Sequence, residues 1–242
     1  MKTPGIFCAI DTPDVHSASA LISALKGTGV DFKLGLEFFL AEGPQGVDKL
    51  RAIAGSDTKI FLDLKLHDIP NTVAGAVRSA MRCRADYLTL HAGGGSAMMQ
   101  AAASAAQDAQ QKTGITPPVL LGVTVLTHMD AADLQEMGMD AAPADHAARL
   151  ARLARDAGLG GAVCSPQEIA RLRADGGAGF SLVVPGIRPA DAAAGDQKRI
   201  MTPAAAAALG ADYLVIGRPI TQAADPAAAA RAIVESLYPQ AA

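Results

Sequence analysis

Eight short apolar runs, each followed by a stretch of helical pattern, constrain this chain more than any other feature. They fall at 6–11, 32–35, 60–65, 87–91, 119–126, 162–165, 181–186 and 213–217. Near-continuous apolar runs of this length suit strands of a parallel sheet, which crossover helices bury on both faces. Eight strand–helix units is the number that closes a (β/α)8 barrel, and 242 residues fit the roughly 250 typical of that fold. No linker or composition break interrupts the pattern, so a single domain spanning residues 1–242 is expected.

The helical segments carry their own punctuation. Ser165-Pro166-Gln167-Glu168 reads as a capping box with proline in the first turn, and Thr202-Pro203 and Asp225-Pro226 repeat the cap-then-proline start. Gly158 and Gly210 stand where helices should stop. Leu150, Leu153, Ala154 and Ala157 share one helical face, suited to a barrel wall. The alanine tracts are strong helix formers between caps, not low complexity.

Composition excludes several classes of function. Charged residues make up 19% of the chain and the net charge is −3, with no Lys/Arg-rich run, which argues against nucleic acid or an anionic membrane as partner. Three cysteines without metal-type spacing suggest reduced thiols and a cytoplasmic protein. The histidines also lack metal-ligand spacing, and His91-Ala92-Gly93-Gly94-Gly95 reads as a strand-to-helix turn. No metal, Rossmann cofactor or P-loop ligand is expected. No segment approaches transmembrane length.

The polar residues cluster at the C-terminal ends of the runs. Asp11 ends the first, Lys33 lies in the second, and Asp63 and Lys65 end the third. His91, Thr127, Ser165, Pro185-Gly186 and Gly217-Arg218 follow in turn on the remaining five. In barrels of this kind that face carries the active site. Residues two apart in a strand face the same side, so Asp63 and Lys65 should project together into the mouth. Buried charges there are expensive unless paired. Interleaved with Asp11, Asp63 and Asp68, the lysines hold one another's partners ionised, and Lys65 should rest as an ammonium. That favours a proton donor over a Schiff-base nucleophile.

Taken together, Asp11, Phe32-Lys33-Leu34-Gly35, the decapeptide Asp63-Leu64-Lys65-Leu66-His67-Asp68-Ile69-Pro70-Asn71-Thr72 and Val125-Leu126-Thr127 resemble the orotidine 5′-phosphate decarboxylase family. The resemblance continues in order through Val184-Pro185-Gly186-Ile187-Arg188-Pro189, Gly195-Asp196-Gln197-Lys198-Arg199 and Ile216-Gly217-Arg218-Pro219-Ile220, and so covers essentially the whole chain. It implies cofactor-independent and metal-independent decarboxylation of orotidine 5′-phosphate to UMP and CO2, in pyrimidine nucleotide synthesis. Lys65 would protonate the C6 carbanion, with Asp63 against the substrate carboxylate and Lys33 and Asp11 on the ribose and charge array. The decapeptide as a whole, Leu64, Leu66, His67, Ile69, Pro70 and Asn71 included, would line the substrate. Asp68 and Thr72 would reach across a homodimer interface into the neighbouring site. Thr127 would touch the base. Arg188, Arg218 and Gly217 would hold the phosphate, where loops after strands 7 and 8 usually bind it. The segment 187–199 would close as a lid, with Gln197 bridging toward the pyrimidine.

Two other readings compete. One is a related sugar-phosphate decarboxylase or isomerase barrel in which the aspartates would hold a metal. The other is a non-catalytic barrel that binds a phospho-ligand, since a fold alone does not establish activity.

Overall fold

The computed structural model describes residues 3–189 and 200–238. All eight expected strands are present: β1 (Gly5–Ile10), β2 (Asp31–Leu34), β3 (Ile60–Leu66), β4 (Tyr87–His91), β5 (Val119–Val123), β6 (Gly161–Val163), β7 (Ser181–Val184) and β8 (Tyr213–Ile216). Each pairs in parallel with its sequence neighbour, and β8 returns to β1, closing the barrel. Helices α1 (Val15–Leu25), α2 (Leu36–Ala54), α3 (Pro70–Ala80), α4 (Gly95–Thr113), α5 (Ala131–Glu136), α6 (Pro143–Asp156), α7 (Ile169–Gly176), α8 (Pro203–Ala208), α9 (Arg218–Thr221) and α10 (Pro226–Glu235) account for the connections.

Strand alternation divides the core into two shells. Along β1, Ile6, Cys8 and Ile10 face the helices, whereas Phe7 and Ala9 face the barrel axis. The lower barrel is filled by Phe7, Phe61, Tyr87 and Tyr213, whose ring centroids lie 4.9 to 6.2 Å apart. Lys59 Nζ meets the Tyr213 hydroxyl at 2.6 Å and covers this end. Large aromatics fill the lower barrel and leave a cavity at its upper mouth.

The caps read from the sequence are formed. Ser165 and Glu168 make a reciprocal capping box, and the side chains of Thr202 and Asp225 accept from backbone N–H groups in the first turns of α8 and α10. Gly158 and Gly210 take positive φ of 87° and 97° just past α6 and α8, a conformation that glycine adopts without steric penalty. Leu150, Ala154 and Ala157 are buried, with Leu153 packed beside them.

Six strands end one to three residues before their apolar runs do, β5 by three and β6 and β7 by two. Strand β5 stops at Val123 because Thr124 turns its N–H and its hydroxyl onto the carbonyl of Val163, at 3.1 and 2.9 Å. Strand β6 stops at Val163, since Ser165, buried as a helix cap, is committed to the next turn. The His91–Gly95 segment is the expected turn, a single 3-10 turn running into α4. Among the described residues, no helix is long and apolar enough to cross a membrane.

Candidate active site

The mouth of the barrel holds a cavity of about 470 Å³, within the usual range for small-molecule sites. Its floor is apolar, with Ala9, Phe61, Val123, Val163 and Val215 pointing up from the strands. Asp11, Lys33, Asp63 and Lys65, on or just after β1 to β3, line the cavity together with Arg188 after β7 and Arg218 after β8. The ligand space thus combines an alternating charge array, two arginines from other strand ends and hydrocarbon beneath.

The array is chained by ion pairs. Lys33 Nζ lies 3.2 Å from Asp11 Oδ1 and 3.6 Å from Asp63 Oδ2, and Lys65 Nζ lies 2.8 Å from the same Asp63 Oδ2. Lys33 is held inside because β2 presents it toward the axis while Phe32 and Leu34 face the helices. Burial alone would raise the Asp63 pKa. The ammonium groups of Lys33 and Lys65, with hydrogen bonds from Lys65 and Thr89, outweigh it and hold the carboxyl below its ordinary value. Asp63 is thus an anion kept ionised in a nearly dry position.

Gly35 serves the same contact. A Cβ built there would sit 3.2 Å from both Asp11 Oδ1 and Lys33 Nζ, tight enough to press on the pair by a few tenths of an ångström.

Asp63 and Lys65 do meet, yet not along a regular strand. The β3–β4 register runs Leu62↔Leu88 and then Leu66↔Leu90, so four steps of β3 oppose two of β4. A slip of two preserves side-chain parity, which is why both residues still face the mouth. Within this bulge Lys65 takes φ of 49°, a left-handed conformation costing a non-glycine residue about 1–2 kcal/mol. Strain of that kind concentrates at functional positions.

The other residues singled out in the sequence divide into three groups. Thr127, Arg188, Gly217 and Arg218 line the cavity with the array. The side chains of Leu64 and Leu66 pack in the outer shell, away from the cavity. His67, Asp68, Ile69, Pro70, Asn71 and Thr72 are exposed and are not brought into this chain's cavity. His67 lies against His91, ring centroids 5.3 Å apart, and burial followed by the charges of His67 and Lys65 lowers the His91 pKa. Gln197 and most of the segment read as a lid lie outside the described residues. At its base, Ile187 bridges to Met201, and Arg188 is buried with Nη1 donating to the Ile187 carbonyl at 2.9 Å.

Sequence reasoning missed Cys164, which lines the cavity where Ser165 was expected to end the strand. It also missed Thr89, fully buried on β4 and bonded to the array. An inward threonine in an apolar run, two positions before the strand end, was the only signal.

Comparison with known proteins decides the family. Residues 4–233 match the family model described as Orotidine 5'-phosphate decarboxylase / HUMPS family. The chain belongs to this family. Among curated members, the orotidine 5'-phosphate decarboxylase of Paramagnetospirillum magneticum is 52% identical over 232 residues, covering 96% of this chain and 97% of the relative. That of Rhodospirillum rubrum is 53% identical over 228 residues, covering 94% and 92%. Among solved structures, orotidine 5'-phosphate decarboxylase from Lactobacillus acidophilus superposes with a TM-score of 0.83 at 35% identity, covering 98% and 99% of the two chains. The family description joins two names, and these relatives carry the decarboxylase name.

Proposed function

We propose that this protein converts orotidine 5′-phosphate to UMP and CO2, as the names of its relatives suggest. The observation that carries the reading is the Lys33–Asp63–Lys65 array lining one cavity with Arg188 and Arg218. The phosphate takes the arginines, where guanidinium geometry matches it. The ribose hydroxyls meet Asp11 and Lys33, and the pyrimidine lies over the apolar floor beside Thr127, its C6 carboxylate toward Asp63. The C6–carboxylate bond breaks, its electron pair stays on C6, and CO2 departs. Lys65 Nζ gives C6 a proton and afterwards regains one from water.

Two effects support catalysis. A fixed ammonium stabilises the charge that develops at C6. The ionised Asp63 beside the departing carboxylate destabilises the bound substrate and is relieved as CO2 leaves. The interleaved lysines also disfavour the sugar-phosphate reading. Asp63 Oδ2 already carries two ammonium contacts, so the array is a poor cage for a divalent cation.

The site is completed by a second copy of the chain. Asp68 and Thr72 are exposed beside their own cavity, and the apolar Ile69 next to them is 67% exposed. Leu36 and Leu40, in the connection after the neighbouring strand, are 46% and 81% exposed. Exposed apolar side chains after two adjacent strands suit an isologous homodimer that brings Asp68 and Thr72 into the partner's site. Sedimentation velocity should give twice the chain mass at micromolar concentration; a monomer that turns over substrate at full rate would refute the shared site.

The decisive assay follows the ultraviolet absorbance of orotidine 5′-phosphate with EDTA-treated protein. Conversion to UMP is expected. Tight UMP binding without conversion would favour the phospho-ligand-binding barrel, and neither would reopen the sugar-phosphate readings. Arg218→Ala should weaken apparent substrate affinity and lower kcat/KM together, by about 10²-fold for a lost charge-assisted contact. An unchanged KM would remove Arg218 from the phosphate site.

A further inference from the structure

Thr89 makes two hydrogen bonds that tie together the halves of the Asp63–Lys65 pair. Its hydroxyl donates to Asp63 Oδ1 at 3.0 Å and accepts from the backbone N–H of Lys65 at 2.9 Å. The direction of both bonds is fixed by chemistry: an ionised carboxylate only accepts and a backbone N–H only donates. A hydroxyl on a short side chain is suited to both at once.

The register slip explains why a side chain is needed there. Where β3 bulges between Leu62 and Leu66, the Lys65 N–H is out of step with the β4 ladder, and the Thr89 hydroxyl receives it instead of a main-chain carbonyl. The same oxygen turns the Asp63 carboxylate so that Oδ1 faces β4, leaving Oδ2 to the ammonium groups of Lys33 and Lys65. Thr89 is fully buried and does not line the cavity. It therefore acts through others.

We infer that Thr89 is a positioning residue for the decarboxylation: its hydroxyl fixes both the left-handed backbone of Lys65 and the rotation of the Asp63 carboxylate. This inference rests on the proposed function. Thr89→Val keeps the β-branched shape and deletes both bonds, whereas Thr89→Ser keeps the hydroxyl and loses a methyl group.

In Thr89→Val, kcat should fall by about 10²-fold, the order of loss that follows an ångström of misplacement at a reacting centre. KM for orotidine 5′-phosphate and affinity for UMP should stay nearly unchanged, because the distant phosphate contacts are intact. Thr89→Ser should recover kcat to within a few-fold of wild type. Equal loss in the serine and valine variants would overturn the inference in favour of packing, as would a valine variant with wild-type kcat or one losing KM and kcat together. Should Thr89→Val fail to fold, Thr89→Cys takes its place, its weak S–H leaving kcat well below that of Thr89→Ser; parity between those two would equally overturn it. Wild-type protein that does not convert orotidine 5′-phosphate would refute the functional reading itself. The bond would then be read by hydrogen exchange of the Lys65 amide, expected to speed up in Thr89→Val and not in Thr89→Ser.

Discussion

Replacing Lys65 with alanine is expected to lower kcat by at least about 10⁴-fold while UMP still binds with affinity close to wild type. The side chain is asked for two things at once, a proton for C6 and a fixed positive charge beside it. General acids contribute about 10²–10⁴-fold, and one preorganised electrostatic contact about 10²–10³-fold. Lys33 cannot take over, because its buried Nζ is held between Asp11 and Asp63. The arginines that would carry nucleotide affinity follow other strands, β7 and β8. Absorbance-monitored turnover and a UMP titration read the two effects separately. Activity within tenfold of wild type would eliminate Lys65 as the proton donor.

The second large effect is expected from Asp63→Asn. The amide keeps the shape and removes the anion that lies between two ammonium groups, so Lys33 and Lys65 then repel each other with only the more exposed Asp11 to compensate. Breaking a buried ion pair from one side costs about 3–5 kcal/mol, and this site, open at the mouth, belongs at the lower end. We expect a stability loss of about 3 kcal/mol at neutral pH and a fall in kcat of about 10³-fold, in line with a lost preorganised charge. The pH dependence has a definite sign. The Asp63 carboxyl titrates below 3.8 in the folded protein, so its stabilisation is fully present above that value and is lost as pH falls through the folded pKa. Urea unfolding should therefore show a constant deficit for the variant from pH 8 to pH 5 that shrinks in more acid solution. A deficit independent of pH throughout would point to packing.

Both effects trace to three adjacent strands whose sequence already held the necessary residues. The eight apolar runs determined the barrel, because a strand buried on both faces has to be apolar almost throughout and eight such units close on themselves. Caps such as Ser165, Thr202 and Asp225 were legible because a helix start is solved locally, by one side chain and the N–H groups within three residues of it. The charge-bearing wall was legible for a related reason: charges that end apolar runs must meet at the one face of a barrel where strands finish.

Other features had no local signature. Register between neighbouring strands is a relation between segments distant in sequence, so the two-residue slip of β3 against β4, and the left-handed backbone it gives Lys65, could not be read from either segment alone. Thr89 looked like an ordinary strand residue until β4 placed its hydroxyl within 3.0 Å of Asp63. Gly35 falls in an apolar run in the sequence; the close approach of Asp11 and Lys33 to it appears in the fold alone. The chain by itself thus determined which groups face the mouth, through the two-residue period of a strand and the apolar demand of a buried sheet. Tertiary structure decided how those groups are held, because the hydrogen bonds that orient them join strands whose alignment no single segment encodes.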